Sequence, residues 1–220
     1  MRLFLDSANL DEIRTWLARR AIRGVTTNPI LAKQAHTDRS TIQEIVRFSA
    51  PYPVSVQVHS RVANEMTNEA KSLFDLGSNT VVKIPVVGPD GSPNLEPIHA
   101  VSVLGIPVNA TACMTVGQAL LAAYAGARYV SLLAGRIEEE GGSSVNVAHL
   151  TRTALTQAGL EAEIIVGSVR EPGLVARLIP TGADICTLSA DILGKLADHR
   201  YSRATAEQFY RAAETHSQSA

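Results

Sequence analysis

Short apolar runs alternate with longer amphipathic segments along almost the whole chain. The runs are rich in β-branched and aliphatic residues and have the length of buried strands. The segments between them repeat apolar residues at the spacing of helices that bury one face. The predicted strands are Leu3–Leu5, Gly24–Thr26, Val54–Val58, Thr80–Ile84, Ile106–Asn109, Tyr129–Leu133, Glu163–Val166 and Ala183–Thr187. The predicted helices are Leu10–Arg19, Ser40–Phe48, Val62–Leu76, Leu95–Leu104, Thr115–Ala125, Val145–Ala158, Pro172–Ile179 and Ser189–Leu196.

Regular alternation of strands and helices predicts a parallel sheet with helical crossovers. Eight such units in 220 residues predict closure into a (β/α)8 TIM barrel. Several glycines follow a predicted helix at the place where a left-handed cap is expected. These glycines are Gly77, Gly105, Gly126, Gly159 and Gly182. No linker or low-complexity segment interrupts residues 1–220, so we expect a single domain.

A further amphipathic segment, Ala204–Glu214, lies beyond the eighth unit and predicts an extra C-terminal helix within residues 201–220. Its apolar face contains Ala206, Phe209, Tyr210 and Ala213, and this face needs a surface to pack against. The pattern leaves two partners open, the chain's own barrel and a neighbouring subunit.

Composition narrows the possible functions. The net charge is -1 and no basic block is present, so binding to nucleic acid is not expected. No apolar stretch reaches the length of a membrane span. The segment before Asp6 is too short for a signal peptide, and Cys113 and Cys186 are interpreted as free buried thiols. These features favour a cytoplasmic location. The Cys and His residues do not have the spacing of metal ligands, so no metal site is predicted.

Lys83 lies alone in the apolar run Thr80–Val87. Burial makes the charged form of a lysine costly and lowers its pKa. A neutral amine is a nucleophile that can condense with a carbonyl to form a Schiff base. A structural lysine that extends to solvent or pairs with a carboxylate is the alternative interpretation.

Polar residues follow or end most of the predicted strands, where TIM barrels carry their chemistry. Asp6 is the only carboxylate among them and is therefore the candidate general acid/base; the alternative is a cap on the first helix. Ser168, Arg170 and Arg136 form a candidate phosphate clamp. His59 is interpreted as a lining residue, with a second proton carrier as the alternative. The polar positions at the strand ends are Asp6, Thr26, Asn28, Gln57, His59, Lys83, Asn109, Thr111, Ser131, Arg136, Ser168 and Arg170.

The segments Leu3–Asp6, Gly24–Pro29, Val81–Pro85, Gly105–Thr111 and Gly135–Ile137 resemble the transaldolase family. The likeness covers nearly the whole chain and is greatest to the short branch, which includes small transaldolases and fructose-6-phosphate aldolase. The resemblance implies transfer of a dihydroxyacetone unit between sugar phosphates, without metal or cofactor because the iminium accepts the electrons. It also implies a homo-oligomer, a pentamer or decamer.

The resemblance also implies roles for individual residues. Lys83 corresponds to the Schiff-base lysine and Asp6 to the acid/base residue. Thr111 corresponds to a threonine that positions a catalytic water, and with Gln57 it completes the catalytic set. The residues that correspond to substrate-binding positions are Asn28, Thr26, Asn109, Ser131, Arg136, Ser168 and Arg170.

Two positions depart from the family pattern. Gln57 stands where many transaldolases have a glutamate, and an amide can orient a water but cannot take its proton. Leu133 stands where the family has an aromatic residue, a tyrosine in the aldolase branch. Two alternatives to a transaldolase therefore stay open: an aldolase that releases dihydroxyacetone, and a sugar-phosphate binding barrel without turnover.

Overall fold

The computed structural model describes residues 1–217 and contains a closed barrel of eight parallel strands. Each strand pairs with the next, and the eighth pairs with the first from Arg2 opposite Ile185 to Leu5 opposite Leu188. The predicted (β/α)8 barrel is therefore confirmed. The strands are β1 (Arg2–Asp6), β2 (Val25–Thr26), β3 (Val54–Gln57), β4 (Thr80–Pro85), β5 (Val108–Cys113), β6 (Tyr129–Leu133), β7 (Glu163–Gly167) and β8 (Ile185–Leu188).

Helices surround the barrel and connect its strands. They are α1 (Leu10–Ala18), α2 (Pro29–Gln34), α3 (Arg39–Ser49), α4 (Ala63–Phe74), α5 (Leu95–Ser102), α6 (Val116–Tyr124), α7 (Ala134–Glu139), α8 (Ser144–Gln157), α9 (Pro172–Leu178), α10 (Ala190–Ala197) and α11 (Arg200–Ser217). A short 3₁₀ turn, Ile179–Thr181, follows α9.

Two short helices, α2 and α7, were not predicted from the sequence. Pro29 occupies the first turn of α2, and the carboxamide of Asn28 accepts hydrogen bonds from the backbone N–H groups of Ile30 and Leu31. Helix α7 begins directly where β6 ends, without a connecting residue. Both helices lie at the mouth of the barrel, so they bring additional side chains to that end.

The left-handed glycine caps were predicted correctly at four of five positions. Gly105, Gly126, Gly159 and Gly182 all have positive φ. The prediction is wrong for Gly77, which is absent from the positive-φ glycines. A β-carbon there would come within 2.7 Å of Val46 Cγ1, so this glycine serves close packing instead.

A small apolar cluster fills the interior of the barrel below the mouth. It consists of Phe4, Val81, Tyr129, Ile165 and Ile185. Because strand side chains alternate between faces, the residue two positions further along each strand also faces the interior. Those residues are Asp6, Lys83, Ser131, Gly167 and Thr187. Four of these five residues carry polar side chains, and they lie above the apolar cluster.

Helix α11 has no buried side chain from Arg200 to Glu214. Phe209 is 70% exposed and Tyr210 is 71% exposed. The helix is longer than the predicted Ala204–Glu214, and residues 218–220 of the predicted C-terminal segment lie outside the described residues. Its apolar face is therefore uncovered in a single copy of the chain. Among the described helices, none is long and apolar enough to cross a membrane.

Candidate active site

A cavity of about 200 Å³ opens at the carboxyl ends of the strands. Eight of the predicted site residues line it: Asp6, Thr26, Asn28, Lys83, Thr111, Ser131, Arg136 and Ser168. Gln57, Asn109 and Arg170 do not line it. Four residues outside the predicted site set complete the wall: Ile30, Leu133, Gly167 and Thr187.

Lys83 is the buried amine of this cavity, with 7% of its surface exposed. Its Nζ donates a hydrogen bond to the carbonyl oxygen of Thr27 at 3.1 Å. Burial lowers the pKa of Lys83, and the negative charge of Asp6 opposes that effect. A lowered pKa increases the fraction of neutral amine, which is the nucleophilic form.

Asp6 belongs to the cavity and does not cap a helix. Its Oδ1 accepts a hydrogen bond from Thr26 Oγ1 at 2.6 Å, while Asn9 caps α1. Thr26 Oγ1 also lies 2.7 Å from Thr187 Oγ1. Because the single hydroxyl proton of Thr26 goes to Asp6, Thr187 donates to Thr26. A relay of two hydroxyls therefore orients the carboxylate.

Asn109 lies beneath the cavity and is fully buried. Its Oδ1 accepts from Ser131 Oγ at 2.7 Å, and its Nδ2 donates to Ser55 Oγ at 3.1 Å. The geometry therefore uses Asn109 to orient Ser131, whereas the family resemblance implied direct binding of a substrate hydroxyl. Ser55 was not identified from the sequence, because a serine inside a predicted strand carries no distinctive signal.

Asn28 and Thr111 both line the cavity. The oxygen of Asn28 is engaged by the N-terminus of α2, and its Nδ2 has no acceptor among residues 1–217. Thr111 lies within a β-bulge of β5, between Ala110 and Cys113, where Ala112 has φ of 60°. Bulges often redirect side chains near functional sites. Both residues thus offer polar groups to a molecule in the cavity.

Gln57 contributes to a different cavity. It pairs in register with Lys83, but it lines a separate space of about 250 Å³ beside α2, α3 and α4. His59 lines the same space; its side chain is 73% exposed and its Nδ1 lies 3.8 Å from Glu69 Oε1. His59 therefore belongs to the rim of this second cavity, away from the Lys83 cavity.

The candidate phosphate clamp is divided between the cavity and its rim. Arg136 and Ser168 line the cavity, whereas Arg170 pairs with Glu139 Oε1 at 2.5 Å. Arg136 pairs with Glu139 Oε2 at 3.0 Å. The hydrogen bond from Arg170 is the main cause that lowers the pKa of Glu139. Glu139 was not singled out from the sequence, although it follows Arg136 at the spacing of a helical ion pair.

The backbone under this clamp is tightly packed. Ser168 has φ of 57°, a left-handed conformation that is uncommon for a residue with a side chain. The N–H of Gly135 donates to the carbonyl of Ser168 at 3.0 Å. A β-carbon on Gly135 would approach Ser168 Oγ and Arg170 Nε within 2.8 Å. Only glycine therefore allows the start of α7 and the segment after β7 to meet so closely.

The remaining wall of the cavity is apolar. Leu133 ends β6, and Ile30 is 68% exposed at the mouth. Neither side chain has a hydroxyl to hold a water molecule. This part of the wall therefore adds no proton carrier to the cavity.

The two cysteines are buried free thiols, as predicted from the sequence. Burial raises the pKa of both Cys113 and Cys186 to about 12, so neither is a thiolate near neutral pH. Within residues 1–217, no three His, Cys, Asp or Glu side chains form a group that could hold a metal ion.

Comparison with known proteins matches residues 3–220 to a family described as Transaldolase/Fructose-6-phosphate aldolase. The chain is 36% identical to a "Probable transaldolase" of Methanococcus maripaludis, with 95% of each chain covered. It is also 36% identical to a "Probable transaldolase" of Aquifex aeolicus, over 96% of this chain and 95% of that one.

A "Probable transaldolase" of Lactiplantibacillus plantarum is 37% identical over 90% of each chain. Among solved structures, a mandelate oxidase variant superposes with a TM-score of 0.59 at 12% identity. That match covers 86% of this chain, and the chain spans 65% of that structure. At such low identity the match shows the barrel fold alone.

Proposed function

The chain belongs to the transaldolase/fructose-6-phosphate aldolase family and is an enzyme of the transaldolase type, and from this premise we propose that its transfer runs through a Schiff base on Lys83. The donor is a ketose phosphate, fructose 6-phosphate or sedoheptulose 7-phosphate, and the acceptor is an aldose phosphate. The observation that carries the proposal is the buried amine of Lys83 in one cavity with the carboxylate of Asp6.

The first half of the reaction cleaves the donor. The neutral Nζ of Lys83 adds to the ketone carbon, and loss of water gives an iminium. Asp6 takes the proton of the C4 hydroxyl, the C3–C4 bond breaks, and its electron pair moves to the iminium to give an enamine. The shortened aldose phosphate leaves, and a three-carbon unit remains joined to Lys83.

The second half reverses these steps with another aldehyde. The enamine carbon attacks the acceptor carbonyl, and Asp6 returns its proton to the new alkoxide. Water then hydrolyses the iminium and releases the new ketose phosphate. Thr111 orients that water in the proposal, although its hydroxyl cannot act as the base. Gln57 lines the second cavity and takes no part in this step.

The other side chains of the cavity position the substrate. The hydroxyls of Thr26 and Ser131 and the Nδ2 of Asn28 contact the hydroxyls of the dihydroxyacetone unit, and Asn109 holds Ser131 in place. Arg136 and Ser168, joined by Arg170, bind the phosphate at the opposite end of the cavity.

The covalent step is tested by adding borohydride together with fructose 6-phosphate and mapping the modified residue by mass spectrometry. We expect one adduct, on Lys83, and none in Lys83→Met. Lys71→Met is a matched control, because Lys71 is an exposed lysine of α4 and should leave trapping unchanged. Trapping on another lysine, or on none, would end the imine mechanism.

Transfer and release are separated by incubating the donor without an acceptor. Leu133 has no hydroxyl to hold a hydrolytic water beside the iminium, which favours transfer. Steady production of free dihydroxyacetone would instead identify an aldolase. Binding of fructose 6-phosphate without exchange of a labelled acceptor would identify a binding protein without turnover.

We also propose that the whole chain is one domain and that α11 packs on another copy of it, in a pentamer or decamer. The uncovered face with Phe209 and Tyr210 supports this assembly. Light scattering of Phe209→Glu/Tyr210→Glu should show a smaller particle than the parent; an unchanged mass would contradict the proposal. The cytoplasm is the proposed location, supported by the unpaired buried cysteines.

A further inference from the structure

Two guanidinium groups at the phosphate end of the cavity share one carboxylate. Glu139 reaches Arg136 through Oε2 at 3.0 Å and Arg170 through Oε1 at 2.5 Å. Arg136 and Glu139 both belong to α7, whereas Arg170 comes from the segment after β7. The carboxylate therefore links two elements that are distant in sequence, at the place where the proposed function puts an anion.

Arg170 is outside the cavity although its neighbours are inside. Gly167 and Ser168 line the wall, and Arg170 does not. Its Nε and the Oγ of Ser168 nevertheless approach the same small space above Gly135. The guanidinium is thus beside the hydroxyl that faces the cavity, with its charge directed to Glu139.

We propose that Glu139 is an internal competitor of the substrate phosphate: it holds Arg170 at the rim until a phosphate dianion takes the guanidinium into the site. This inference rests on the proposed function, because it assumes that the Arg136–Ser168 end binds phosphate. A dianion has more charge and more acceptor oxygens than one carboxylate, so it can replace Glu139. An anion must therefore bind Arg170 more strongly than Glu139 does before it can contact both arginines.

The contact is suited to exchange. The side chains of Arg136, Arg170 and Glu139 are 60%, 56% and 41% exposed, so water weakens both ion pairs. A bound phosphate would also be repelled by a carboxylate left beside it. A different role, in which Glu139 merely keeps both arginines in position for the phosphate, predicts the opposite effect when the carboxylate is removed.

The sign of that effect is measured by calorimetric titration of the full-length protein with inorganic phosphate. Glu139→Gln should bind phosphate about twofold to fivefold more tightly than the parent, the range expected for loss of an exposed ion pair. Glu140→Gln is the matched control: it removes the same charge one residue away, and its exposed side chain forms no ion pair within residues 1–217. The control should bind like the parent.

Arg170→Gln supplies the second part of the test. If the gain arises from releasing Arg170, then Glu139→Gln should improve phosphate binding much less in the Arg170→Gln background. A weaker or unchanged affinity in Glu139→Gln overturns the proposal, as does an equal gain in both backgrounds. Absence of phosphate binding in the parent and in every variant overturns it too.

Borohydride trapping of the same variants separates this inference from the proposed function. Phosphate titration needs no turnover, so an affinity change without any Lys83 adduct would leave the competitor role intact and end the imine mechanism. A Lys83 adduct without any change in phosphate affinity would support the imine mechanism and overturn the competitor role of Glu139.

Discussion

The two ends of the cavity are built by different physical means. At the Lys83 end, the amine is buried and a relay of hydroxyls holds Asp6, so most polar atoms have partners shielded from water. At the arginine end, charged side chains are more than half exposed and pair with Glu139. Desolvation magnifies electrostatic effects at the first end, and water screens them at the second. Chemistry that needs a shifted pKa is therefore confined to the buried end, and reversible anion binding to the exposed one.

The largest loss is expected from Lys83→Met. Without an amine, no iminium can form, and transfer from fructose 6-phosphate should fall by about 10³-fold or more. The measurement is the rate of labelled acceptor incorporation, with Lys71→Met as control. If Lys83→Met transferred at the parent rate, the claim that the chemistry depends on the buried amine would be wrong.

The same substitution should change the pH dependence of stability in a defined direction. The pKa of Lys83 is lower in the folded than in the unfolded chain, so between those two values the unfolded state binds more protons and stability rises with pH. Below the folded pKa, the folded protein bears the full cost of the buried charge. Lys83→Met should therefore raise Tm most at pH values below the folded pKa, and the gain should shrink as the pH approaches the ordinary lysine value. A gain that grows with pH would contradict the burial argument.

Asp6→Asn should have the next largest effect. The amide keeps the size of the side chain but cannot accept the C4 hydroxyl proton, so kcat should fall by about 10²–10⁴-fold. Borohydride trapping should persist, because imine formation uses Lys83. Equal loss of trapping and turnover would show that Asp6 acts on the amine instead of on C–C cleavage.

Ser131→Ala tests the buried network by stability instead of rate. It removes the donor to Asn109 Oδ1, which is fully buried. An acceptor left without its partner costs about 1–3 kcal/mol, which denaturant unfolding can resolve. A change at an exposed residue of the same protein, Glu140→Gln, should stay within about 0.5 kcal/mol.

Arg136→Gln should have the smallest of these effects and the most selective one. It removes a guanidinium from the cavity wall, so KM for phosphorylated donors should rise about tenfold while kcat changes little. The control is unphosphorylated fructose at saturating concentration, whose low activity should not respond. A large fall in kcat with unchanged KM would place Arg136 in the chemical step and weaken the contrast between the ends.

Most of the fold could be predicted from the sequence, because it depends on local periodicity. The alternation of strands and helices predicted the closed barrel, and the apolar neighbours of Lys83 predicted that its amine is buried. The β5 strand extends to Cys113, further than the predicted Ile106–Asn109, because a bulge lets it continue. A bulge depends on how β5 meets β6, so it has no clear signal in the strand itself.

The sequence by itself determined that eight strands close into a barrel and that the fourth strand carries a buried amine, since both follow from local periodicity and from the apolar neighbours of Lys83. Only the tertiary structure decided which neighbours the polar residues meet. In the folded chain Gln57 lines a second cavity, Asn109 accepts a hydrogen bond from Ser131, and Arg170 forms an ion pair with Glu139. Such choices depend on the distances between elements far apart in the chain, and long polar side chains can satisfy several partners equally well until those distances are set.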